Sequence, residues 1–461
     1  MNDPDVRPAQ AAQREGSLLA LAALALVVGA ASGLIGALFR LSLEWADGVR
    51  DWLMSWAHAG GFAGLLFVIG LSAGAVAIAA WLVRRVSPLA SGSGIPHVEL
   101  VLEGELPPAP PVLLIVKFIG GFLAIGFGLA LGREGPSVQM GANVASLIGK
   151  ICRCSWPDCR VLLAAGAGAG LATAFNSPIA GAVFVLEELV RKFELRIAIA
   201  ALGASAAAIS VARVFLGDAP DFHVQSFAFS SAPTILLYLA LGVLAGFAGV
   251  AYNRSLLATL AAMDRLARFP LELRAAVVGG GVGALAFFAP ELVGGGDPLT
   301  QAALAGVPAL AILPILFLLR FGLGAVSYAA GTPGGLFAPL LVLGAQLGLF
   351  FGFICRAGVP ALDITPEAFA VVGMGALFTA IVRAPLTGIV LVIEMTASFV
   401  LLLPLLAACF GAMVVATLLR DEPIYDSLRE RTLQSVARPP WPLPRRLPAD
   451  ADRGAPKPDR R

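Results

Sequence analysis

Between residues 16 and 39 the chain carries no charged side chain, a length that lets a helix cross the hydrocarbon layer of a bilayer. Such a run constrains the fold more than any motif. In lipid the backbone must satisfy its own hydrogen bonds, and only helices or closed barrels do so. Further apolar runs follow at 62–83, 112–131, 196–215, 234–252, 275–288, 340–355 and 400–419. With 58% hydrophobic and 13% charged residues, the 461-residue chain reads as an all-α polytopic membrane protein. Its 52 glycines suit close helix packing and interrupted helices. The run at 17–39 is read as a first transmembrane helix, not a cleaved signal.

Charge placement gives an orientation. No Lys or Arg lies between Arg213 and Arg254, or between Arg274 and Arg320, so the connections at 218–231 and 290–299 are expected outside. Basic loops holding Arg84, Arg153, Arg191 and Arg265, and the basic tail, are expected inside, with both termini cytoplasmic. Residues 1–16 read as a cytoplasmic segment, 17–433 as the transmembrane domain, and 434–461 as a disordered Pro/Arg-rich tail too short to build a core. The five cysteines form no even framework, and Cys152, Cys154 and Cys159 lack a fourth metal ligand, so no metal site is expected.

Several segments are too short or too polar to span. Residues 91–96 (Ser-Gly-Ser-Gly-Ile-Pro) read as a turn opening a short helix. Residues 161–175 and 178–186 read as paired half-helices meeting at Asn176 and Ser177. The stretch Gly132, Arg133, Glu134, Gly135, Pro136 places an ionisable pair between two apolar runs. It reads as a break with a helix N-terminus at Glu134, whose free N–H groups attract an anion. A short loop with Arg133 and Glu134 solvated explains the same residues equally well.

An internal repeat bears on that choice. Residues 166–187 align with 373–394 at a constant offset, matching Gly166, Gly168, Ala169, Pro178, Gly181, Val183, Val185 and Glu187 to identical residues. Gly132 and Gly135 have looser counterparts in Gly331 and Gly334. Two halves, at about 17–215 and 234–419, that carry the same interrupted segments are the mark of a repeat-built transporter.

The ordered motifs GSGIP at 92–96, GREGP at 132–136 and GGLFAP at 334–339, with Tyr425 near the end, resemble the ClC family of chloride channels and chloride/proton antiporters. The resemblance runs from about residue 17 to 433. It implies the ClC fold, with two inverted-topology repeats of tilted, interrupted helices, and a homodimer with one anion path per subunit. It also implies site residues. Ser93 and Tyr425 would coordinate chloride by their hydroxyls, with Gly92 beside Ser93 and the backbone N–H groups of Leu336 and Phe337 joining them. Arg133 and Gly135 would shape the helix start on the anion path. Glu134 would be the gate that competes with chloride and carries protons, and Glu188 the second proton glutamate. The repeat also sets Glu188 apart, since Glu187 matches Glu394 while Glu188 matches Met395.

The physics runs parallel to the resemblance. A chloride in hydrocarbon needs donors that replace water without a full positive charge to trap it, and hydroxyls with helix-start N–H groups are of that kind. An ionised carboxylate at the same place mimics the anion and, once protonated, leaves it. The expectation is therefore a chloride/proton antiporter in a bacterial inner membrane, with the lipid bilayer and a second copy as partners. It needs no cofactor beyond the transported chloride and protons, and no nucleic acid. A passive voltage- or pH-gated chloride channel of the same fold is the alternative. An intramembrane enzyme is disfavoured because none of His58, His97 and His223 pairs with a Cys or Asp at ligand spacing. Lys117, Glu99 and Arg133 are read as a buried charge cluster, and His97 as a residue of the inner vestibule or a bystander.

Overall fold

Apolar runs become helices, and the glycine- and proline-rich segments become the breaks between them. The computed structural model describes residues 6–229 and 231–437. The first half holds α1 (Val6–Ala59), α2 (Gly61–Arg85), α3 (Ile95–Glu103), α4 (Val112–Gly126), α5 (Glu134–Ile151), α6 (Trp156–Phe175), α7 (Pro178–Phe184) and α8 (Leu195–Leu216). A π-helical turn, Val185–Leu189, extends α7. The second half holds α9 (Ala232–Arg265), α10 (Leu271–Phe288), α11 (Asp297–Leu304), α12 (Leu313–Ala329), α13 (Phe337–Gly358), α14 (Pro366–Val382), α15 (Pro385–Thr396) and α16 (Leu402–Leu418). The helix α17 (Ile424–Ala437) follows. Among the described residues eight helices are long and apolar enough to cross a membrane. The tail expected at 434–461 lies outside the described residues beyond 437, as do residues 1–5 of the N-terminal segment.

Four lengths differ from the sequence expectation. The first helix does not stop at 39 but runs through Arg40, Glu44, Asp47 and Arg50 to Ala59, because these charges pair along its own surface. The run at 112–131 ends as a helix at Gly126, since Gly128 takes φ +104, a backbone shape that only glycine adopts freely. The segment read as half-helix 161–175 is the later part of a full helix. Ser155 caps α6 with a bond from the Asp158 N–H, and Pro157 sits in its first turn. Only α7 is short. The apolar stretch 234–252 likewise extends to Arg265.

The repeat is visible in packing. Gly141 of α5 lies against the backbone of Gly166 in α6, and Gly344 of α13 lies against Gly373 of α14. A β-carbon at any of these positions would collide with the facing carbonyl, so the two helix pairs meet at backbone distance in both halves. Asn176 and Arg383 end α6 and α14 in the same left-handed conformation, and Pro178 and Pro385 open the next helices.

The halves also hold each other. Glu187, just past α7, accepts bonds from the N–H groups of Leu386 (2.9 Å) and Thr387 (2.6 Å), at the start of α15. Glu394, in α15, accepts from Ile179 (3.0 Å) and Ala180 (2.8 Å), at the start of α7. Each repeat thus supplies the carboxylate that caps the other repeat's proline-led helix, where free N–H groups and the dipole favour an anion.

Candidate functional site

Three broken segments meet at one place, and backbone pairing holds them. Gly92 donates its N–H to the Thr332 carbonyl (3.0 Å) and accepts from the Gly334 N–H (3.0 Å). Gly132 and Gly335 exchange both bonds, at 2.9 and 2.7 Å. The GSGIP and GREGP loops are therefore stitched to opposite edges of the GGLFAP loop, and the starts of α3, α5 and α13 converge. Gly135 seals the junction: a β-carbon there would sit 2.8 Å from the Cα, Cβ and carbonyl oxygen of Ser93.

Glu134 occupies the convergence point. It is fully buried, and its Oε1 accepts the Ala338 N–H (3.1 Å) in the first turn of α13. Its Oε2 has no hydrogen-bond partner among the described residues. The carboxylate folds back over Gly132 and Gly335, neither of which has a side chain to exclude it. A carboxylate thus sits in the anion position that the α13 N-terminus provides.

The proposed chloride ligands surround this point unequally. Ser93 is fully buried; its Oγ accepts the Ile95 N–H (3.1 Å), and its own N–H donates to the Tyr328 hydroxyl (3.3 Å). The Ser93 hydroxyl thus takes the first N–H of α3 and also lies against the Tyr328 hydroxyl, while Gly94 holds the cap position. Gly92 takes φ +61 and commits its N–H to Thr332, so it builds the loop and presents no donor to an anion. Leu336 and Phe337 lie at the α13 start; the Ala338 N–H, one position further on, meets the Glu134 carboxylate at 3.1 Å, and the Phe337 N–H acts on the same carboxylate. Tyr425 is fully buried, with its hydroxyl unpartnered among the described residues. Its ring stands 6.0 Å from that of Phe337, which also meets Phe378 (4.7 Å) and Phe184 (5.8 Å). These rings form a buried aromatic cluster beside the site.

The Tyr425 phenol is within electrostatic reach of both Glu134 and Glu188. The π-helical turn at Val185–Leu189 turns Glu188 inward, to 3% exposure. Arg191 reaches it at 3.4 Å and is itself held by Asp426 at 2.7 Å, the residue after Tyr425. A cavity of about 620 Å³, lined by Glu187, Glu188, Arg191, Lys192, Arg383 and Pro423 among others, opens beside Glu188.

The expected cluster of Lys117, Glu99 and Arg133 does not form. Lys117, fully buried, donates to the carbonyls of Ala90 (3.1 Å) and Gly92 (2.7 Å). Glu99 faces Glu188 and Arg191, and neither of its oxygens is hydrogen-bonded among the described residues. Arg133 turns away from the Glu134 carboxylate to Asp297 (3.0 Å), Asp221 (3.4 Å) and the Ala174 carbonyl (2.8 Å). Lys117 and Arg133 thus find separate partners, and Glu99 finds none among the described residues. His97 is buried against Gln139 (3.3 Å) in a small cavity also lined by Asn143, Ser146 and Val101.

The model of the voltage-gated chloride channel family matches residues 74–417. The chain belongs to the ClC family. It is 41% identical over 436 residues to the H(+)/Cl(-) exchange transporter ClcA of Vibrio cholerae, covering 92% of each chain. It is 38% identical to the protein of that name from Klebsiella pneumoniae, covering 91% of this chain and 90% of the relative. Among solved structures it resembles a slow cyanobacterial Cl−/H+ antiporter, with TM-score 0.87 and 34% identity over 91% of this chain and 99% of that one. The architecture is the ClC fold, two inverted halves of tilted and interrupted helices.

Sequence reasoning passed over three residues of this ClC site. Ala338 has a side chain without chemistry, and only its N–H matters. Tyr328 closes α12 outside any motif, although a lone tyrosine just before a glycine break was a usable signal. Asp426 stood beside Tyr425 and was not singled out.

Proposed function

We propose that this ClC protein exchanges chloride for protons across a bacterial inner membrane. One observation carries the reading: the Glu134 carboxylate occupies the helix-start position at Ala338 that an anion would take. A carboxylate and a chloride compete for the same donors there. Protonation removes the carboxylate's charge and its claim on those donors, so proton uptake and chloride entry are linked. Ser93 and Tyr425, with the N–H groups at 336–338, supply partial positive charge that binds chloride without trapping it. Glu188, buried between Tyr425 and an open cavity, passes protons between Glu134 and the cytoplasm. Arg133 and Gly135 act by setting the α5 start, and Gly92 by setting the GSGIP loop. The names of the bacterial relatives support the same activity.

The chain works as a homodimer in this reading, and both termini face the cytoplasm. Exposed apolar residues on α8 (Ile199, Leu202) and α16 (Leu403, Leu406, Phe410) suit burial in lipid or against a second copy. The domain plan is a transmembrane unit over 17–433 with short cytoplasmic ends, and transport needs no cofactor.

The test uses purified protein in chloride-loaded liposomes, with a chloride gradient, no pH gradient, and equal potassium on both sides with valinomycin to carry the counter-charge. Protons driven against their own gradient establish exchange. Glu134→Ala is expected to abolish proton movement and leave chloride flux, and Glu188→Gln to abolish proton movement. Chloride flux without proton movement in the wild type would refute antiport and make the protein a channel.

A further inference from the structure

We propose that Asp221, in the linker that joins the two halves, is a positioning residue that sets the pH range of the Glu134 gate by holding Arg133. The inference rests on the antiport reading above. The linker between α8 and α9 is tied down at several points. Phe222 donates its N–H to the Met395 carbonyl (3.0 Å), and Gln301 of α11 bonds both the N–H (2.9 Å) and the carbonyl (2.8 Å) of His223. Asn176 holds the Ala219 carbonyl (2.9 Å). Between these anchors, Asp221 is directed inward, with its side chain 4% exposed.

Its two oxygens bridge two guanidinium groups. Oδ1 accepts from Arg40 of α1 at 2.8 Å, and Oδ2 from Arg133 at 3.4 Å. Arg133 is adjacent to Glu134 in sequence, and its charge acts on the Glu134 carboxylate, which the Tyr425 phenol of α17 also faces. The charged groups around Arg133 are Asp297 from α11, Asp221 from the linker, Glu134 from α5, and Glu44 with Arg40 from α1, while α6 contributes the Ala174 carbonyl (2.8 Å). Among these, Asp221 is the buried one that touches both arginines, so together with the nearer Asp297 (3.0 Å) and the Ala174 carbonyl (2.8 Å) it helps fix where the Arg133 charge points, and it alone couples that charge to Arg40. Asp297, by contrast, is 48% exposed and screened by solvent.

The sign follows from Coulomb's law. Neutralising Asp221 leaves two arginines with less negative charge beside them. An anion at the gate becomes more favourable, whether it is chloride or the ionised Glu134, so protonating Glu134 requires more acid. Neutralising Arg40 does the opposite.

The experiment measures chloride-driven proton transport in liposomes from pH 4.5 to 8, for the wild type, Asp221→Asn, Asp221→Glu and Arg40→Gln. Asp221→Asn is expected to move the half-maximal pH to acid by about 0.5–1 unit, the effect of one charge near a partly solvated surface. Asp221→Glu is expected to restore the wild-type profile, and Arg40→Gln to move it to alkali. A merely structural role would lower rates without opposed shifts. Coincident midpoints, or shifts of the same sign in Asp221→Asn and Arg40→Gln, would overturn the proposal. If Asp221→Asn fails to fold, the Arg40→Gln profile decides alone. A wild type that moves no protons refutes the antiport reading instead, and is told apart by that control.

Discussion

Cutting one of the reciprocal caps tests how the two repeats are joined. Glu187 accepts three bonds at the α15 start: two from N–H groups and one from the Thr387 hydroxyl (2.7 Å). Thr387 is buried and Leu386 is exposed, so one of the three bonds competes with solvent. A charge-assisted bond to a buried donor contributes about 1.5–3 kcal/mol net, and a carboxylate at a helix N-terminus adds about 0.3–1 kcal/mol. Glu187→Ala is therefore expected to cost about 2–4 kcal/mol. Glu394→Ala, which removes two bonds, is expected to cost about 1–3 kcal/mol. Glu187→Gln keeps an acceptor without the charge and is expected to fall midway. The assay is thermal unfolding of the detergent-purified protein, followed by the loss of the monodisperse peak on size exclusion, with a fall of a few degrees for each Ala variant. Transport gives a second readout. Glu187 anchors the turn that points Glu188 inward, so proton flux is expected to drop more than chloride flux. A Glu187→Ala protein as stable as the wild type would refute the reasoning, as would a Gln variant less stable than the Ala one.

Three further outcomes follow from the site. Gly135→Ala puts a methyl 2.8 Å from Ser93 backbone and side-chain atoms, so α5 and the GSGIP loop must part; chloride flux is expected to fall at least tenfold in the liposome assay. Ser93→Pro removes both the hydroxyl and the N–H that reaches Tyr328, which weakens the donor field and favours a more weakly hydrated anion; the nitrate-to-chloride flux ratio is expected to rise, and an unchanged ratio removes Ser93 from the filter. Tyr425→Phe deletes an unpartnered buried hydroxyl; it is expected to weaken chloride binding, measured by isothermal titration, by about 1–2 kcal/mol while leaving unfolding unchanged.

What the sequence revealed, and what it hid, divide along a physical line. Residues that act through backbone shape leave a trace in composition. Gly92, Gly132, Gly135 and the 331–339 stretch marked the three loops that converge, and the repeated Pro178/Pro385 and Glu187/Glu394 marked the paired helix starts. Side-chain direction leaves no such trace. The expected grouping of Lys117, Glu99 and Arg133 failed because Lys117 and Arg133 turn to separate partners and Glu99 finds none among the described residues. Where the buried charges did find partners, a common rule emerges. Lys117 is satisfied by the carbonyls of Ala90 and Gly92, beside the GSGIP break. Arg320, 1% exposed in α12, is satisfied by the carbonyls of Leu292, Gly294 and Gly295 in the glycine turn. Glu187 and Glu394 are satisfied by N–H groups at helix starts, and Glu134 is held there through one of its two oxygens. A helix interrupted within the membrane leaves backbone groups unpaired where water is scarce, and a buried charge needs such groups as much as they need it. In a chain of this kind, a charge in an apolar run is therefore better matched to a glycine- or proline-marked break than to a charge of opposite sign. The fold, not sequence distance, chooses which break: those that hold Lys117 and Arg320 lie 25–28 residues away, past nearer ones at 107–111 and 331–335. Arg133, held by the carboxylates of Asp221 and Asp297, and Glu188, paired with Arg191, depart from that rule.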